Sequence, residues 1–126
     1  MPTAAEIVNA YLDAFTAGEF EKASELVAAE FSFHGPFIQT DTREAFFAGA
    51  APLAKIARGH RLLRQWDEGD EVSSFYEFRL ETPAGAGSVL MSEWHRVCDG
   101  RLSSARLVFD TGEFRTVVPA PPTAGQ

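Results

Sequence analysis

Glu93 and His95 stand two residues apart in the stretch Ser92-Glu93-Trp94-His95. In an extended chain such residues share a face, so a carboxyl and an imidazole point the same way. Groups of these two types move protons, most effectively when enclosed in an apolar setting. The surrounding stretch, Ser88 to Cys98, is apolar and aromatic enough for burial. Asp99-Gly100 then separates two strand-like runs and reads as a two-residue hairpin turn. That turn sets Glu93 opposite Arg106 and His95 opposite Ser104. The preceding loop, Thr82 to Gly87, is expected to turn at Gly85, which sets Glu77 opposite Glu93 and Phe75 opposite His95. Two neighbouring carboxylates repel when both are charged. Enclosed, one would hold a proton or share Arg106 as counter-charge, and a neutral carboxyl can deliver a proton. The plainer alternative is a solvated sheet face with Glu–Arg pairs worth about a few tenths of a kcal/mol. One β-bulge would shift either register by one residue.

These residues need a sheet, and the sequence supplies one after a helical first half. Thr3 and Glu6 form a capping box, and Ile7, Val8, Tyr11, Leu12 and Phe15 recur at helical spacing. Gly18 ends this helix. A second helix is expected over 20–28, and a short extended piece over 31–37. A third helix covers 42–57, capped by Asp41 with Glu44 and kinked or split at Pro52. Strands follow at 59–66, 71–81, 88–98 and 101–109. The order predicts an α+β fold, a meander of long antiparallel strands with the N-terminal helices packed on one face. One domain over 1–118 and a flexible Pro-rich tail over 119–126 are expected.

The strand patterns conflict over which face is inside. Glu77, Arg79, Glu93, His95 and Arg106 share one face, and Tyr76, Phe78, Leu90, Trp94 and Leu107 share the other. Hydrophobicity alone puts the second face on the helices. With both faces covered, the first becomes the polar floor of a pocket and the second a homodimer interface.

Acidic residues outnumber basic ones by 18 to 11, a net charge of −7 in 126 residues. No basic surplus exists to replace counterions, so neither nucleic acid nor an anionic membrane is an expected partner. No run reaches the length of a spanning helix, the first residues do not read as a signal peptide, and the single cysteine suits a reducing cytoplasm. No cofactor motif occurs. Glu93 and His95 with Glu77 are the only conceivable metal ligands, without a spaced Cys/His pattern, and no metal is expected. Eleven phenylalanines imply an aromatic core or an aromatic-lined cavity.

The layout resembles the nuclear transport factor 2-like superfamily, which includes SnoaL-like cyclases, ketosteroid isomerases and limonene epoxide hydrolases. The resemblance covers about residues 4–115. It is carried by "IVNAYLDAFTAGEFEKASELVAAEFSF" and by "SEWHRVCDGRLSSARLVFD". It implies a cone-shaped, curved antiparallel sheet with the three N-terminal helices packed on its concave face. It matches Tyr11 to the oxyanion-hole tyrosine of the isomerases and Glu93 to their oxyanion-hole aspartate. Their catalytic base falls on Gly35, before Pro36. Of the epoxide hydrolase triad, one aspartate falls near Glu77, while the arginine falls on Phe75 and the other aspartate on Leu107.

The expected function is therefore acid/base proton transfer on a small hydrophobic carbonyl compound: isomerisation, cyclisation or dehydration. Tyr11, Glu77, Glu93, His95 and Arg106 would carry the chemistry. Phe15, Phe33, His34, Phe37, Phe46, Phe75 and Met91 would line the pocket. The alternative is a non-catalytic ligand-binding or dimeric interaction module of the same fold.

Overall fold

The computed structural model describes residues 2–120. Helix α1 (Ala4–Thr16) starts at the Thr3 capping box, whose two reciprocal hydrogen bonds are both formed. It buries Ile7, Val8, Tyr11, Leu12 and Phe15, the apolar stripe read from the spacing. Helix α2 (Phe20–Ser24) is shorter than expected. Strand β1 (Val27–His34) takes over because Val27 pairs with Leu102, whose amide donates to the Leu26 carbonyl at 2.9 Å. Strand pairing here overrides the helical propensity of Ala28-Ala29-Glu30. After the short strand β2 (Gln39–Thr40), helix α3 (Arg43–Ala50) is capped by Thr42, not Asp41; the Thr42 hydroxyl accepts from the Ala45 amide. A 3-10 turn, Ala51–Lys55, continues it with Pro52 near its start, the split that proline predicted.

Four long strands complete the sheet: β3 (Ala57–Glu68), β4 (Glu71–Thr82), β5 (Gly85–Cys98) and β6 (Arg101–Val108). The order across the sheet is β2-β1-β6-β5-β4-β3, antiparallel except for the parallel pair β1–β6. The architecture is the expected α+β one, a curved, unclosed sheet with helices over its inner face. A fourth helix, α4 (Thr111–Val117), was not foreseen. Asp110 caps it by accepting from the amides of Gly112 and Glu113. Glu113 Oε1 accepts the Leu90 amide at 2.7 Å, satisfying β5 where β6 has already ended. Val117 seats against Gly87, where a Cβ would lie 2.8 Å from its methyl group. Residues 121–126 of the expected tail lie outside those described. No described helix is long and apolar enough to cross a membrane.

Helix α1 is fastened to β3 by polar contacts at its middle and at its C-terminal end. Asn9 and Gln65 exchange two side-chain hydrogen bonds, and Gln65 also donates to Ser74. Thr16 donates to the Leu12 carbonyl at 2.6 Å, leaving its oxygen to accept from Nδ1–H of His60 at 2.7 Å. Burial lowers the His60 pKa below its ordinary 6.5, and the weaker pull of Asp13 raises it. The unfolded chain therefore takes up a proton at His60 before the folded protein does. Stability at this residue is lost as pH falls below about 6.5. We expect His60→Gln to show a smaller drop in urea midpoint between pH 7 and pH 5 than the wild type. Identical pH dependence in the two proteins would contradict this account of His60.

Candidate functional site

Strands β4 and β5 join through a two-residue turn, Pro83-Ala84, with Thr82 facing Gly85. Proline suits the second position of such a turn, and the Thr82 hydroxyl accepts the Ala84 amide. The expected turn centred on Gly85 is thus displaced, and with it the register. Glu93 faces Ser74, Met91 faces Tyr76, and Glu77 faces Leu90. On the other side a bulge at Ser103 shifts the β5–β6 ladder beyond Val97–Leu102. Glu93 consequently faces Leu107 and His95 faces Ala105, while Arg106 faces Trp94.

These shifts mix the two faces inferred from the sequence. Tyr76, Phe78 and Leu80 of β4 point inward together with Met91, Glu93 and His95 of β5, and all six are buried. Glu77 points outward, its carboxylate 3.7 Å from the Arg61 guanidinium and its side chain 40% exposed. Arg106 is exposed on the outer face and sets no carboxyl inside. His34 of β1, exposed and paired with Arg106 of β6, and Phe75, 37% exposed, also lie outside. Four of the residues expected at the site are therefore not there. Glu77, Glu93 and His95, the three groups weighed as metal ligands, do not converge, because Glu77 lies across the sheet from Glu93 and His95.

A cavity of about 140 Å³ opens between the inner face, α1, α3 and the 35–38 loop. Tyr11, Phe15, Phe33, Phe37, Phe46, Met91 and Glu93 line it, as expected. Ile38, Leu53, Tyr76, Phe78, Leu107, Phe109 and Phe114 complete it and were missed. Tyr76, Phe78 and Leu107 were assigned to the wrong face. Phe114 belongs to the unforeseen α4, although Asp110 before Thr111-Gly112-Glu113 carries a capping signal that would have located that helix. Within this lining Phe37, Phe109 and Phe114 pack edge-on or tilted, and Arg115 lies 4.7 Å from the centre of the Phe37 ring. An apolar cavity of this size takes a single six-membered ring.

Among the described residues, Glu93 is the only carboxyl lining the cavity, and it is 4% exposed. The Tyr76 hydroxyl donates to its Oε1 at 2.7 Å. Nε2 of His95 lies 3.4 Å from its Oε2, and His95 itself is fully buried behind it. Tyr11 packs edge-on against His95 at 5.6 Å. Burial, then the negative charge of Glu93, raises the Tyr11 pKa well above 10, with no hydrogen bond contributing. Tyr76 is raised by the same causes in the same order, and also by its bond to Glu93. Both phenols keep their protons throughout the neutral range, so each remains a hydrogen-bond donor.

The SnoaL-like domain model matches residues 8–105. This chain belongs to the SnoaL-like domain family. Solved structures of the wider NTF2-like superfamily share its fold. An NTF2-like protein of unknown function from Burkholderia pseudomallei superposes with a TM-score of 0.79 at 17% identity, covering 95% of this chain and 100% of that one. A protein with a ketosteroid isomerase-like fold from Catenulispora acidiphila, in complex with trimethylamine, gives 0.71 at 18% identity, covering 81% and 83%. An LEH-like epoxide hydrolase from M. tuberculosis gives 0.76 at 17% identity, covering 93% and 96%. No curated protein matches the chain.

Tyr11 and Tyr76 are the only two tyrosines of this SnoaL-like chain, so phenolate absorbance reads the site alone. The folded protein should show almost no phenolate at pH 10, and Glu93→Gln should bring both ionisations lower. Half-ionised tyrosine at pH 10 in the folded protein would show that neither is enclosed beside Glu93.

Proposed function

We propose that this SnoaL-like chain catalyses proton transfer beside the carbonyl group of a small hydrophobic compound. The observation that carries this reading is Glu93, a buried carboxyl at the wall of an otherwise apolar, largely aromatic cavity that it shares with Tyr11, whose hydroxyl has no hydrogen-bond partner among the described residues. Glu93 removes a proton from the carbon next to the carbonyl. The C–H electron pair becomes the enolate double bond, and the carbonyl oxygen becomes an oxyanion that accepts the Tyr11 O–H. Glu93 then returns the proton to a different carbon, which completes an isomerisation. Cyclisation and dehydration start from the same enolate. With Glu77 outside, one carboxyl serves as base and then as acid. Tyr76, rather than Arg106, is its immediate partner.

The fold carries chemistry in at least one relative, the LEH-like epoxide hydrolase, which supports catalysis in this cavity. The cavity volume favours a monocyclic ligand over a polycyclic one. 3-Cyclohexen-1-one fits it and is a usable probe. We expect the protein to convert this ketone to its conjugated isomer, and Glu93→Gln to lose about 10²-fold or more. Tyr11→Phe should lose about 10²-fold with the fold intact. Binding of the ketone with a conversion rate equal in wild type and Glu93→Gln would replace this reading by the non-catalytic one.

We propose further that two copies pair through the outer face. Tyr76, Phe78 and Leu107 do not contribute, since they point inside. Trp66, Phe75, Leu90, Trp94 and Val108 are all exposed there. Glu71 and Glu77 share that face with Arg96 and Arg106, so a two-fold copy can set opposite charges together. Sedimentation at tens of micromolar should show a dimer that Leu90→Glu converts to monomer. A wild-type monomer under those conditions would contradict the pairing.

A further inference from the structure

Among the described residues, only one ring has buried nitrogens without a hydrogen-bond partner, and it is His95. The side chain is fully buried. Across the ladders it faces Val72 of β4 and Ala105 of β6, neither of which is polar. From α1 the edge-on Tyr11 ring covers it. On its own strand Glu93 is two residues away, with Oε2 at 3.4 Å from Nε2. The titratable groups that face it are thus Glu93 and Tyr11; Tyr76 is connected to it through Glu93, and β6 contributes none. Ser74, across from Glu93, is buried nearby, but its oxygen already accepts from Gln65, so the carboxylate 3.4 Å from Nε2 is the acceptor to which this buried imidazole can direct a donor.

We infer that His95 is the positioning residue of Glu93, carrying its proton on Nε2 and donating it to Oε2. This rests on the proton-transfer reading of Glu93 and deepens it. Each carboxylate oxygen then has one protein donor, Tyr76 on Oε1 and His95 on Oε2. Two donors from different directions fix the plane of the carboxylate. The lone pairs left over face the cavity, where the substrate proton is taken. The separation of 3.4 Å is long for such a bond, and catalytic hydrogen bonds of unliganded proteins shorten when the site is filled. His95 does not line the cavity, so it acts through Glu93 and touches no ligand.

Two measurements decide the matter. The first needs no substrate: nitrogen NMR of the ¹⁵N-histidine-labelled wild type reads which ring nitrogen of His95 bears hydrogen. A proton-bearing Nε2 is expected, and a bare Nε2 would overturn the proposal whether or not the protein is an enzyme. The second compares His95→Phe, which removes the donor, with His95→Gln, which keeps an N–H, using 3-cyclohexen-1-one. His95→Phe should lower kcat about tenfold with little change in KM, and should move the acid limb of kcat/KM to higher pH, because a carboxylate that loses a donor is harder to form. His95→Gln should restore the limb towards that of the wild type. A His95→Phe profile superimposable on the wild type, in a folded protein, would make His95 a space-filling residue only. Failure of the wild type to turn over the ketone would count against the proposed function, while the NMR result would still stand for or against His95.

Discussion

The register of the β4–β5 pair is the constraint on which the site depends. Side chains alternate along a strand, so a shift of one residue sends every group to the other face. The Pro83-Ala84 turn pairs Ser74, not Glu77, with Glu93. That pairing brings Tyr76 inside, where its hydroxyl reaches Glu93 at 2.7 Å. The alternative would bring two carboxyls inside and leave the Tyr76 and Phe78 rings in water. Burial of an aromatic side chain contributes roughly 1.5–3 kcal/mol, whereas a second enclosed carboxyl without a cation costs several. The observed register satisfies both preferences.

Around Glu93 the protein builds an environment in which a single charge matters. Aromatic rings from α1, β1, α3, β4 and α4 exclude water from the carboxylate. In such surroundings a hydrogen bond or a nearby charge acts more strongly than at the surface. The same exclusion keeps the Tyr11 and Tyr76 phenols protonated. Rigid supports hold the two sides in place: the Asn9–Gln65 amide pair and the Thr16–His60 bond fasten α1, and hence Tyr11, over the sheet. Helix α4, which adds Phe114 to the aromatic wall, depends on the Asp110 cap and on the close approach at Gly87.

The helical half of the chain and the number of long strands were legible, because their signals are local. The capping box at Thr3, the stripe through Phe15, the break at Pro52 and the Asp99-Gly100 turn all read correctly from neighbouring residues. Tyr11 and Glu93 each had two reasons that agree: the helical stripe and the family resemblance for Tyr11, strand alternation and the same resemblance for Glu93. Glu77, Phe75, His34 and Arg106 were misplaced because facing partners depend on where a turn is centred and on whether a bulge intervenes. Thr82-Pro83-Ala84-Gly85-Ala86-Gly87 offers several turn centres, and the sequence pattern does not rank them. The Ser103 bulge is set by a contact across the sheet, the Ser103 hydroxyl on the Arg96 carbonyl, together with the parallel pairing to β1. Neither is visible in a window of neighbouring residues.

The most direct test of this account is the strand pairing itself, read in solution from cross-strand proton contacts by nuclear Overhauser spectroscopy. Contacts between Ser74 and Glu93 and between Tyr76 and Met91 are expected, with Glu77 beside Leu90. Contacts pairing Glu77 with Glu93 would contradict it, since they would put a second carboxyl into the cavity and remove Tyr76 from it.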